Sequence, residues 1–246
     1  MLGKLKSLLI ALFGLSAIIV VHEFGHFLFC RLFGVQVPVF SVGFGPKLIG
    51  YKIGGTLFQI AALPLGGYNA IDTASFVSKT YIQKMIITLA GIGFNIIFAA
   101  LLFILIAWYT SKKESRPTNI FIVIMQGILI TYTFTKTIMH GFFGIWQQKT
   151  RGQLTGPIGI ITSAQSSQAQ GWMVFLLWLA IMNINVAIFN LLPIPFLDGG
   201  QLVKLTIEAL YGAPLPVRLL SLINNIFLLL FLFLLIWLSA RDMKNQ

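Results

Sequence analysis

Charge is what this sequence has least of. Only 9% of its 246 residues are Asp, Glu, Lys or Arg, against about a quarter in an average soluble domain. That deficit excludes an ordinary water-soluble globule and a disordered chain, both of which rely on ionised side chains for solvation. Cys30 is the single cysteine, so there is no disulfide framework and no thiolate metal site within one chain. Acids are scarcer than bases, six against seventeen, and there are three histidines. The resulting formal charge of +11 would suggest nucleic acid in a soluble protein. Here the bases fall mostly between apolar runs, without an aromatic-interleaved basic groove or zinc-finger spacing. Lipid headgroups account for them, and nucleic acid is not expected as a partner.

What fills the sequence instead is apolar: 57% of residues are hydrophobic and the mean hydropathy is +0.90. Four runs, at about 7–30, 85–111, 172–192 and 219–240, are long enough to cross about 30 Å of hydrocarbon at 1.5 Å per residue. The first follows Lys4 and Lys6 as a signal peptide would. It continues past Val21 into charged residues without a small-residue cleavage site, so it reads as a retained span. A weaker fifth run, Thr118 to Thr135, fades into a Thr-rich tail, and the region 118–150 reads as a helix lying in the interface. Residues 33–70 carry short β-like runs punctuated by Gly43-Phe44-Gly45-Pro46, Gly54-Gly55 and Gly66-Gly67, which predicts a small sheet against or within the membrane. The expected fold is therefore an all-α integral membrane protein of one domain. It has four transmembrane helices, a membrane-associated β-sheet after the first, and an interfacial helix before the third.

Three polar features stand out because lipid makes them costly. His22-Glu23-Phe24-Gly25-His26 lies inside the first run. Residues four apart on a helix share one face, so both imidazoles can reach one metal ion, with Glu23 placed as general base for a water at that metal. Asn190-Leu191-Leu192-Pro193-Ile194-Pro195-Phe196-Leu197-Asp198-Gly199-Gly200 follows the third run. The prolines break the helix, the glycines suit a tight turn, and Asp198 is the best third ligand among the six acids. Gly91-Ile92-Gly93-Phe94-Asn95 lies in the second run. Its small residues suit helix packing, while Asn95 is open to two readings, packing or donation to a developing oxyanion.

Topology offers a test of this constellation. The pentad lies toward the end of span one and Asp198 follows the end of span three. They share a membrane side only if those spans run parallel, which requires one full crossing between them. Met85 to Ser111 supplies it; a crossing by Thr118 to Thr135 would send Asp198 to the opposite face.

At these residues the sequence resembles the site-2 protease family of intramembrane zinc metalloproteases, closest to the bacterial regulator-of-sigma-E protease branch. Phe44-Gly45, Pro64-Leu65-Gly66-Gly67-Tyr68, Ala90-Gly91 with Asn95, and Gly156-Pro157-Ile158 match alongside the two motifs above. The resemblance implies that His22, His26 and Asp198 bind Zn2+ and that Glu23 activates water. It assigns substrate positioning to Asn190, Pro193 and Pro195, and to the strand-rich region the capture of an unwound substrate segment as an added strand. It implies hydrolysis within or near the transmembrane segment of a single-span membrane protein already cut by another protease, such as an anti-sigma factor or a remnant signal peptide. The implied location is the bacterial cytoplasmic membrane, with the active site toward the cytoplasm. The Lys and Arg count runs the other way, seven on the pentad side and ten opposite. One departure is plain: that branch carries PDZ domains between spans two and three, and Ser111 to Asn119 leaves no room for one. Two alternatives stay open, a non-catalytic module that holds or regulates membrane proteins, and a small transporter with a His-Glu relay.

Overall fold

The computed structural model describes residues 2–114, 119–144 and 156–244. Parts of the expected hinge (115–118) and of the expected interfacial region (145–150) lie outside the described residues. Among those described, the chain forms α1 (Leu2–Leu32), β1 (Val39–Ile53), β2 (Thr56–Ala70), α2 (Thr73–Val77), α3 (Tyr81–Lys113), α4 (Ile120–Gly144), α5 (Pro157–Ala169), α6 (Trp172–Asn190), α7 (Asp198–Tyr211) and α8 (Val217–Lys244). The protein is thus a multi-spanning, helical membrane protein with a small sheet after its first helix.

Five helices, not four, are long and apolar enough to cross a membrane: α1, α3, α4, α6 and α8. The additional one is α4, where an interfacial helix was expected. Its threonines explain the difference. Thr131, Thr133, Thr135 and Thr137 each donate a hydroxyl hydrogen bond to the carbonyl four residues back, at 2.8–2.9 Å. Polarity satisfied within the helix costs little in lipid, so a Thr-rich segment reads as more polar than it is.

The chain divides into two compact units. The first comprises Met1–Gly14, Asn95–Ile188 and Leu235–Gln246; the second comprises Leu15–Phe94 and Phe189–Leu234. In the first, close approach and aromatic stacking do the packing. A side-chain carbon at Gly127 would collide with Ile104 of α3, and Phe103 stacks on Phe134 at 5.3 Å between ring centroids. Asp242 of α8 accepts a hydrogen bond from the Gly159 N–H in the first turn of α5, at 2.9 Å. That carboxylate satisfies a donor that the helix start leaves free.

The second unit holds the sheet. Helix α1 ends where Gly34 adopts φ +67°. The Val35 N–H bonds the Cys30 carbonyl at 2.7 Å and the Gly34 N–H bonds that of Arg31 at 3.2 Å. This paired closure needs a left-handed residue and turns the chain directly into β1. Val39–Val42 then pair with Leu57–Ile60 on one side and with Gly67–Ala70 on the other, while Lys47–Ile53 form a hairpin with Thr56–Ala61. The hairpin turns at Gly54 and Gly55, both at positive φ. Cys30, Val35, Val37 and Ile87 form a buried core beneath the sheet, covered by Phe27, Phe29, Phe33, Ile71 and Phe76. Asp72 caps α2 by accepting the Ser75 N–H at 2.8 Å. That bond holds the half-buried Asp72 carboxyl below the ordinary carboxylate range.

Candidate metal centre

The second unit brings His22 and His26 of α1 together with Asp198, the first residue of α7. Two imidazoles on one helix face stand edge to face, with ring centroids 4.7 Å apart and Nε2 atoms 3.1 Å apart. Asp198 Oδ2 lies 3.1 Å from His22 Nε2 and 3.4 Å from His26 Nε2. Both histidines are under 9% exposed. Although that carboxylate oxygen is buried within ion-pair distance of both rings, neither contact has hydrogen-bond geometry. Three lone-pair donors converge on one point, and their atoms all lie within 4.8 Å of one another. Two imidazoles and a carboxylate are the donor set of a catalytic zinc, which keeps a fourth position open.

The surroundings hold these ligands in place. His26 Nδ1 donates to the Ile87 carbonyl of α3 at 2.8 Å, which leaves the Nε2 lone pair facing the metal position. Helix α3 can come this close because α1 offers Gly25 to it; a Cβ there would lie 2.5 Å from the Ala90 carbonyl oxygen. Gly91 faces the rings themselves, and a Cβ on it would overlap His26 Nε2 and sit 2.7 Å from His22 Cε1. The sequence pattern marked Gly91 as a packing glycine; what it packs against is the ligand pair.

Glu23 is half-buried beside the triad. The Asn69 amide of β2 donates to both its backbone carbonyl, at 2.6 Å, and its Oε2, at 2.9 Å. Asn69 escaped sequence reasoning. The only signal was its position next to the Gly66-Gly67-Tyr68 punctuation, and its partner is defined by tertiary structure.

Asp198 reaches the histidines because the chain breaks after Asn190 and restarts as α7. Pro193 and Pro195 remove donors across that break. The expected tight turn at Gly199-Gly200 is absent: both lie within α7 and neither has positive φ. They are needed for close approach instead, since a Cβ on either would overlap the Leu191, Leu192 or Ile194 carbonyls.

An open cavity of about 830 Å³ leads from the triad, with Glu23, Asn69 and Asn190 among its lining residues. Pro193 and Pro195 are not among its lining residues; their place is in the break. Asn95 is fully buried in α3, falls in the first unit, and is likewise absent from the cavity lining.

With this geometry, comparison with known proteins is decisive. The model of peptidase family M50 matches residues 10–234. The chain belongs to peptidase family M50. A Clostridium perfringens protein carrying a zinc-metalloprotease name is 23% identical, over 96% of this chain and 98% of that protein. A Synechocystis protein with such a name is 25% identical, over 94% and 93% respectively. A Helicobacter pylori protein, also so named, is 40% identical over 114 residues, which cover 40% of this chain and 33% of that protein. The C. perfringens alignment spans 327 positions, of which 96% of 246, about 236, are residues of this chain. The remaining 91 or so are residues of the relative alone. Membership of M50 and a buried His22-His26-Asp198 triad together make this chain an intramembrane zinc-dependent metalloendopeptidase.

Proposed function

We propose that the protein cleaves a single-span membrane protein within or near its transmembrane segment, with Glu23 as general base and acid. The observation that carries this reading is the convergence of two distant motifs, the α1 pentad and Asp198, on one point beside a positioned carboxylate. Zinc held by His22, His26 and Asp198 supplies Lewis-acid polarisation and a lowered pKa for attacking water. Asn69 holds Glu23 Oε2 and so leaves Oε1 to take the proton from water and return it to the leaving amine. Among the described residues the segment Gly67–Ala70 pairs on one side only and carries Asn69, so an unwound substrate strand added to its open edge would lie alongside Glu23. Asn190 on the cavity wall is placed to hold substrate backbone. Pro193 and Pro195 act by fixing the break that delivers Asp198, and Asn95 supports α3 beyond Gly91.

Four crossings suit this site. Asp198 stands within 3.4 Å of both histidines, so α1 and α6 end on one side of the membrane. The crossing by α3 between them is sufficient, and a full crossing by α4 would send Asp198 to the opposite face, which supports a partial or interfacial course for α4. Membership of the regulator-of-sigma-E-like branch in a form without a PDZ domain is supported by two observations. Residues 114–119 are all that join α3 to α4, and the C. perfringens relative carries about 91 aligned positions with no counterpart in this chain. The bacterial relatives support a bacterial membrane; the cytoplasmic membrane, with the triad toward the cytoplasm, rests on the family resemblance, against the Lys and Arg count. Substrates pre-cut by another protease, anti-sigma factors or remnant signal peptides among them, follow from the family resemblance.

Glu23→Gln tests the assignment. The variant is expected to retain zinc while cleavage of a membrane-anchored substrate falls by about 10²–10⁴-fold, the usual worth of a general base. A variant as active as wild type would falsify the role given to Glu23.

A further inference from the structure

Two lysines line the cavity that leads from the triad, Lys84 and Lys204, and the chemistry above uses neither. Lys84 stands on α3 three residues before Ile87, whose carbonyl holds His26, and seven before Gly91, which faces both imidazoles. Positions 84, 87, 88 and 91 share one helix face. At 1.5 Å per residue, Lys84 lies about 10 Å along α3 from Gly91. Lys204 stands six residues past Asp198, about 9 Å along α7.

Both lysines are half-buried. Lys204 Nζ is ion-paired at 4.0 Å with Glu208 Oε1, which also accepts the Leu215 N–H at 3.1 Å, so Lys84 is the lysine of the two whose charge is uncompensated among the described residues. The Lys84 side chain has no hydrogen-bond or ion-pair partner among the described residues. The wall around them is mixed: Ile71, Phe76, Leu205 and Leu220 are apolar, while Gln201 and Glu208 are polar. An ammonium in such a wall has lost hydration that an anionic partner restores.

We propose that Lys84, together with Lys204 of the same cavity, is a specificity subsite for a substrate carboxylate about three residues from the scissile bond. This rests on the protease reading. The backbone of Lys84 lies about 10 Å along α3 from Gly91, the residue that faces both imidazoles, and an extended peptide advances about 3.3 Å per residue, so the subsite is placed roughly three residues from the cut. The carboxylate created by cleavage forms at the metal position itself and is too near. The two remaining sources are an Asp or Glu side chain and a free C-terminus.

The test uses Leu-rich single-span peptides in which one Asp, or Asn as control, is walked through the positions flanking the cut. A parallel set ends at each position in a free carboxylate or an amide. Wild type, Lys84→Gln, Lys84→Arg and Lys204→Gln are compared in lipid nanodiscs, with zinc per chain measured in each. Wild type is expected to favour Asp over Asn at about the third position by roughly 5–10-fold in KM, with kcat little changed. Lys84→Gln loses that preference, Lys84→Arg keeps it, and zinc content is equal in all. Preference in the first set assigns the side chain; preference for carboxylate over amide in the second assigns the C-terminus. An Asp/Asn ratio unchanged in Lys84→Gln, or a uniform drop in kcat for every peptide, overturns the subsite alone. Zinc-loaded wild type that cleaves none of the peptides contradicts the protease reading, and the subsite with it.

Discussion

Gly91→Ala asks the most of the smallest change. A Cβ at this position would lie 2.7 Å from His22 Cε1 and overlap His26 Nε2, where carbon atoms ordinarily stay about 3.5–4.0 Å apart. One or both rings must retreat by about 1 Å. His26 has little freedom to do so, since its Nδ1 is tied to the Ile87 carbonyl. Metal–ligand distances tolerate only about 0.2 Å. Overpacking of this kind costs about 1–3 kcal/mol, which weakens zinc binding by roughly 5- to 150-fold. Gly93→Ala is the internal control, because a Cβ there meets nothing within 4 Å. Removing that helical glycine adds stability of up to about 1 kcal/mol. The assay is zinc per chain after dialysis against chelators of graded strength, paired with thermal unfolding with and without zinc. Zinc affinity of Gly91→Ala within threefold of wild type, or zinc loss in Gly93→Ala, would refute the packing account of this site.

Two further outcomes follow from the residues around the triad. Asn69→Ala is expected to keep zinc but lower kcat by about 10–100-fold, the usual effect of losing a partner that orients a reacting group; equal kcat in a cleavage assay would remove Asn69 from the machinery. Asp72 has its carboxyl held below the ordinary carboxylate range by the Ser75 N–H. Its stabilisation of α2 is present above about pH 4 and is lost as pH falls through the lowered folded value. Limited proteolysis at 72–80 should therefore accelerate at low pH in wild type but show no such step in Asp72→Asn.

Much of this site was legible because lipid makes polar residues conspicuous. His22, Glu23 and His26 interrupt an apolar run at a spacing that one helix face explains, and Asp198 follows the most strongly Pro-broken span. Uncharged runs placed α1, α3, α6 and α8 to within a few residues. The misreadings share a cause, which is that a side chain's partner is invisible in sequence. The α4 threonines are satisfied by their own helix, so hydropathy alone understated how far that helix has the length and composition of a span. Gly199 and Gly200 have the composition of a turn but serve backbone contact with residues 191–194. Asn69 lies 46 residues from Glu23, and no local pattern links them. Lys84 looks in sequence like an ordinary basic flank of a span; only the cavity shows which way it faces.

The measurement that tests the central claim most directly is zinc per chain in detergent-purified protein, for wild type, His22→Ala and Asp198→Ala. A three-ligand site assembled from two distant motifs predicts about one zinc in wild type and its loss or sharp reduction in both variants. No metal in wild type after chelator-free purification, or full zinc retained in Asp198→Ala, would contradict it.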